Sequence, residues 1–157
     1  MSSFVRATWS VWRIPYHEFH VRFEGLLAKR TPEEEAALVD LRSRVHALVP
    51  DCFDTFTYGK PAMAIDSGPV MAYGITGQDL VVYLLDGAVT ERRAELLAPW
   101  KTTKGTVRHA ISDRLPDDVL SVLVADRLAR LEEIARERRL PGGPPDPDAF
   151  DPDAAGG

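Results

Sequence analysis

Between Phe53 and Leu85 the chain carries four short runs of β character, Phe53 to Tyr58, Ala62 to Ile65, Val70 to Ile75 and Leu80 to Leu85. Turn-forming residues divide them: Tyr58-Gly59-Lys60-Pro61, Ser67-Gly68-Pro69 and Thr76-Gly77-Gln78-Asp79, with Asp86-Gly87 closing the last run. Parallel neighbours need a crossover of roughly a dozen residues or more. None of these gaps can hold one, so the segment is constrained to an antiparallel meander, to which a later run, Thr106 to Ile111, returns as a further strand.

Helical patterns flank the meander. Tyr16, Phe19, Phe23, Leu26 and Leu27 recur at helical spacing after Pro15, whose missing N–H suits a first helical position, and this helix ends near Ala28. Thr31-Pro32-Glu33-Glu34 reads as a capping box, and the helix it opens runs to about Val49, with Leu38, Leu41, Val45 and Leu48 as its buried stripe. A short helix is expected over Thr90 to Ala98, with Leu96 and Leu97 inward. Leu115-Pro116 opens a long one whose stripe is Leu120, Leu123, Val124, Leu128, Leu131 and Ile134. The expected class is α+β: an antiparallel meander of about five strands packed by N-terminal and C-terminal helices. Residues 1–14, with Trp9 and Trp12, form an arm or strand, 15–139 a single domain, and 140–157 an acidic Pro/Gly-rich tail expected to be disordered.

With 157 residues, one compact core is what the chain can build. The net charge of −5 weighs against a nucleic-acid-binding protein, which needs a broad excess of Lys and Arg. No window approaches the roughly 20 apolar residues of a membrane span, and the N-terminus has no basic-then-apolar leader pattern, so a cytoplasmic protein is expected. The single cysteine, Cys52, reads as a small core hydrophobe. No histidine is its neighbour in sequence, and Asp51 beside it would raise the thiol pKa.

Two segments have the composition of a binding site. Trp100-Lys101-Thr102-Thr103-Lys104-Gly105-Thr106-Val107-Arg108 combines cations, hydroxyls and a glycine that permits close backbone approach, which suits an anion such as phosphate or carboxylate. Its other reading is a solvated turn whose lysines guard a sheet edge. In Tyr58-Gly59-Lys60-Pro61, Tyr58 and Lys60 are placed to face a cleft shared with Trp100, unless Tyr58 is only a core aromatic. The candidate ligand-binding set is Tyr58, Lys60, Trp100, Lys101, Thr103, Lys104, Gly105 and Arg108. His17, His20 and Glu24, at i, i+3 and i+7, share a helix face at a spacing that suits iron or zinc, although such coincidences are common on surfaces. His109 reads as a buried, satisfied histidine rather than a proton carrier, and His46 as a cation favoured by a helix C-terminus. Asp51 and Asp54 flank the entrance to the first strand. No catalytic residue is assigned.

The aromatic-Gly-x-Pro turn, Tyr58-Gly59-Lys60-Pro61, the loop Lys101-Thr102-Thr103-Lys104-Gly105-Thr106 and the later Leu115-Pro116 resemble the pattern of the YdhG-like family, the DUF1801 type of small bacterial proteins of unknown function. The resemblance spans residues 30 to 135 and departs at Trp100, where tyrosine is usual, and at His109, where an aromatic is common. It implies an α+β domain with an antiparallel sheet. Because some members are described as frataxin-like iron chaperones, it also brings in iron as a cofactor or cargo, with no ligand set to transfer.

Three function classes follow. The first is a noncatalytic binding protein for a small anionic ligand or metal ion near Lys101 to Arg108. The second is a protein-interaction module using the Trp-rich N-terminus or the acidic tail. The third is an enzyme drawing on Lys101, Lys104 or His109 for acid-base work. A homodimer is open to the chain, but no residue pattern demands one.

Overall fold

In a computed structural model, residues 11–139 are described. The arm expected at 1–14 lies outside them except for Val11 to Ile14, and the tail at 140–157 lies wholly outside. The element order is α1 (Tyr16–Leu27), α2 (Pro32–Leu48), β1 (Phe53–Thr57), β2 (Lys60–Ile65), β3 (Gly68–Thr76), β4 (Asp79–Tyr83), α3 (Gly87–Arg92), β5 (Lys101–Thr103), β6 (Thr106–Ala110) and α4 (Asp117–Arg139).

The first four strands pair in sequence as the antiparallel meander their spacing demands, β6 adds beside β4, and β5 closes the far edge: the order is β1-β2-β3-β4-β6-β5. The sheet therefore has six strands rather than about five. Lys101–Thr103 shows no strand pattern because all three residues are exposed at an edge, where nothing selects apolar alternation. Turn chemistry sets the register. Tyr58 and Gly59 both adopt positive φ, 52° and 77°, between the paired Thr57 and Lys60, which is the two-residue geometry that matches strand twist.

The capping box forms as the sequence requires: the Glu34 amide donates to Thr31 Oγ1 and the Thr31 amide to Glu34 Oε1, each at 3.1 Å. Leu38, Leu41 and Val45 are buried, but Leu48, the last residue of α2, is 41% exposed, and Val49 just after it is buried instead. Pro15 is the N-cap of α1 rather than its first residue. The expected helix over Thr90 to Ala98 forms earlier, at Gly87–Arg92, because the Asp86 carboxylate accepts from the Ala88 amide and fixes the start; turns follow it.

One face of the sheet, set by the paired registers of Met63 with Met71, Tyr73 with Val82 and Val82 with Val107, joins Phe19 and Phe23 of α1, the α2 stripe and Leu120, Leu123 and Leu131 of α4 in one apolar cluster. Arg127 of α4 is also buried; its Nε donates to the Pro69 carbonyl at 3.0 Å, and burial lowers its pKa to about 10.

Gly105 illustrates how tightly the second hairpin is tied in. It sits at φ 84°, its carbonyl accepts from the Leu84 amide at 2.7 Å, and its amide donates to Thr90 Oγ1 at 3.1 Å. A Cβ there would lie 3.4 Å from the Asp86 nitrogen and would have to adopt a left-handed backbone. Gly105→Ala is expected to cost about 1–2 kcal/mol and to lower the melting temperature by several degrees, measured by circular dichroism.

Candidate functional site

The register carries a mismatch that opens a cavity. Pairing of β3 with β2 stops at Ala72, whereas pairing of β3 with β4 continues to Thr76. Over its last residues β3 thus has a neighbour on one side only. Into that notch come Gly59, Lys60 and Pro61 from the β1–β2 turn, Leu26 and Arg30 from the corner between α1 and α2, and Tyr83 of β4, around a cavity of about 260 Å³.

Its charge is one-sided. Arg30 Nε is buried and has no hydrogen-bond partner among the described residues. The Lys60 ammonium stands 5.0 Å from the centre of the Tyr83 ring, a cation–π contact. No acidic residue lines the cavity, and among the described residues neither cation is paired with a carboxylate.

The two segments singled out by composition do not meet. The antiparallel registers put the Tyr58–Gly59 turn at one end of the sheet and the Lys104–Gly105 turn at the other, on opposite edges. Of the expected ligand-binding residues, only Lys60 lines the notch. Tyr58 is 45% exposed and is neither a core aromatic nor a cavity wall. Trp100, half-buried, shares no cleft with them, and Lys101 and Thr103 are exposed. Thr103 and Thr106 bond to each other through their hydroxyls, Gly105 is engaged by Leu84 and Thr90, and the stem of Lys104 lies over Gly87. Arg108 is spent on Asp79, Nε to Oδ2 at 2.8 Å, and on the Thr76 carbonyl. The loop that reads as an anion cradle is the lock of a hairpin.

His17 and Glu24 are exposed, His20 packs against the Tyr16 and Phe19 rings at centroid distances of 4.1 and 5.4 Å, and among the described residues no group of three or more His, Cys, Asp or Glu is placed to hold a metal ion. His109 is buried, with Nδ1 donating to the Ala110 carbonyl at 2.8 Å.

A second constellation was missed in the sequence. Asp54 does not pair with Asp51. On the core-facing side of β1 it takes a two-pronged bond from Arg42 of α2, Nε to Oδ1 at 2.9 Å and Nη2 to Oδ2 at 2.6 Å, and a contact from His46 Nε2 at 2.9 Å. His46 Nδ1 is 3.5 Å from Cys52 Sγ, so the cysteine does have a histidine neighbour, six residues upstream. Burial, then the Asp54 charge, raises the thiol pKa to about 11, with Asp51 a minor contributor. Burial pushes the Asp54 carboxyl up, but the hydrogen bonds from Arg42 and His46 more than offset it, leaving the group below the usual carboxylate range.

No family model matches the chain, and no curated protein matches it. Among solved structures, it is similar to the crystal structure of a DUF1801-family protein, YdhG, from Bacillus subtilis, with a TM-score of 0.65 and 10% identity over 71% of this chain and 91% of that one. At that identity the likeness is one of fold: the α+β architecture with an antiparallel sheet and helices from both ends of the chain. Among the described residues no helix is long and apolar enough to cross a membrane.

Because the folded Asp54 pKa is depressed, its stabilisation is complete above the unfolded carboxylate value and is lost as pH falls through the folded one. Urea denaturation from pH 7 down to pH 3 should show a falling stability whose slope below about pH 4 is shallower in Asp54→Asn than in the parent protein.

Proposed function

We propose that this protein is a noncatalytic binder of a small anionic molecule, held in the notch beside β3. The observation that supports this most directly is the pairing of two cations, Arg30 and Lys60, around a cavity that no acidic residue lines. A buried guanidinium donor without a partner is costly, and a carboxylate or phosphate oxygen arriving there removes the deficit. Leu26, Pro61 and the Tyr83 ring supply apolar wall, the usual companion of a few convergent polar groups in small-molecule sites. The volume, about 260 Å³, suits a compact ligand. The site proposed is thus the notch rather than the Lys101 to Arg108 loop, where Gly105 and Arg108 are internally engaged and Lys101 and Lys104 are exposed. Iron handling, which the family resemblance brings in, has no ligand cluster among the described residues to support it.

The test is calorimetric titration with inorganic phosphate and with benzoate, alongside melting scans at increasing anion concentration. Binding stabilises the fold in proportion to the logarithm of ligand over Kd. At least one anion is expected to bind, and Arg30→Ala and Lys60→Ala should each weaken it about tenfold, the worth of one charged hydrogen bond. The Lys101→Ala, Lys104→Ala double variant should bind as the parent does. An anion that binds equally well to Arg30→Ala, or no binding by either probe, sinks the proposal.

A further inference from the structure

The notch presents backbone as well as side chains. Thr76 and Asp79 pair across the two-residue turn Gly77-Gln78, and residues that flank such a turn exchange both backbone bonds with each other. Alternation along β3 then aims the amides and carbonyls of Ala72 and Gly74 at β4, and those of Tyr73 and Ile75 the other way, toward β2. By the same rule the Thr57 and Lys60 pair turns Lys60 and Ala62 toward β1 and leaves Pro61 facing β3.

Pro61 is where the ladder fails. The register that joins Ala62 to Ala72 sets Pro61 opposite Tyr73, and a proline has no N–H to give the Tyr73 carbonyl. One step further stands the Tyr58–Gly59 turn rather than a strand, so Ile75 turns its amide and its carbonyl to a side where it has no strand partner. Tyr73, Gly74, Ile75 and Thr76 all line the cavity. A second deficit lies in the same walls: the Tyr73 side chain is wholly buried, and its hydroxyl, like Arg30 Nε, has no hydrogen-bond partner among the described residues. Burial, then the Asp54 charge, raises the pKa of that hydroxyl, which therefore keeps its proton and is a donor.

Given the notch as the anion site, on which this inference rests, we propose that its ligand is an N-acylated amino acid, free or as the last residue of a peptide: a carboxylate one residue away from an amide N–H. Paired antiparallel with Ile75, such a residue gives its N–H to the Ile75 carbonyl and takes the Ile75 amide on one carboxylate oxygen. The other oxygen takes Arg30 Nε and the Tyr73 hydroxyl, so both unpartnered donors are answered at once. A bare carboxylate or phosphate answers the donors but brings nothing to the Ile75 carbonyl. The volume, about 260 Å³, suits one small residue and its acyl group, with Leu26 as apolar wall.

The test is calorimetric titration of the full chain with N-acetylalanine and with two analogues that lack the N–H: O-acetyllactate, which has an ester oxygen in place of the amide nitrogen, and propionate. N-acetylalanine is expected to bind about tenfold more tightly than either, and to lose about tenfold in Arg30→Ala and several-fold in Tyr73→Phe. In isotope-labelled protein it should shift the Ile75 amide resonance. Equal affinity for N-acetylalanine and O-acetyllactate, both dependent on Arg30, overturns this inference and leaves the notch an anion site. No binding by any of the three, or binding indifferent to Arg30→Ala, sinks both. The tetrapeptide Gly-Gly-Gly-Ala separates the sources: tighter binding than N-acetylalanine, lost in its C-terminal amide, assigns the site to peptide termini, and binding no tighter assigns it to free acylated amino acids.

Discussion

A carboxylate on the core-facing side of β1 has to be answered, and the answer ties the two halves of the domain together. Asp54 stands opposite Met63 in the sheet, on the face that packs the apolar cluster. An unpaired charge in that position would be severely destabilising. Arg42, one helical turn before His46 on α2, supplies two parallel bonds, and His46 supplies a third contact. Three groups on two elements thereby fix where α2 sits over β1. The guanidinium also lies over the faces of Phe19 and Phe23, so the same side chain that meets the charge fastens α1. The histidine orientation that faces Cys52 is a by-product of this fastening.

The other organising constraint is the unequal reach of β3's two neighbours. A nine-residue strand beside a six-residue one leaves backbone without a partner on one side, a condition that proteins usually cover or use. Here the α1–α2 corner is drawn over it and brings Arg30 with it. The opposite edge is handled differently: β5 is short, polar and bears Lys101, the blunting expected of a terminal strand. Cations at the two ends of the sheet thus have different work. Those at β5 and β6 are solvated or paired, and those at the notch converge.

The meander, the capping box and the long last helix were legible in the sequence because each is encoded within a few residues: turn compositions, Thr31 with Glu34, and the stripe from Leu120 to Leu131. What was not legible depends on registers summed across the sheet. Lys60 and Trp100 both sit beside turn residues, and nothing local says that the strand order places three strands between β2 and β5 and so holds them apart across the sheet. Arg108 and Asp79 are 29 residues apart, so the loss of that cation to an ion pair could not be read from its own loop. Arg30 has only a weak local sign, a second cation after Lys29 at a helix corner. His46, Cys52 and Asp54 fall within nine residues, yet they cross from helix through turn to strand, where neither the helical nor the strand period predicts which side chains meet.

Sharing a fold at 10% identity with the Bacillus subtilis protein is the outcome expected when alternation, caps and turns carry the architecture and individual side chains are free to change. That same freedom limits what the likeness can carry. The lysine-threonine loop looks like a functional motif because glycine and threonine are held in place there, but Gly105 is held by a left-handed turn and Thr90 by its bond to the Gly105 amide. Constraint from folding and constraint from binding leave the same mark on a sequence. They are separated by asking which polar groups the fold already satisfies. By that criterion Gly105 and Arg108 are already satisfied, whereas among the described residues four buried polar atoms are left open, His20 Nε2, Arg30 Nε, the Tyr73 hydroxyl and Trp100 Nε1, and of these the Arg30 and Tyr73 side chains both line the notch, where chemistry beyond the fold has room to act.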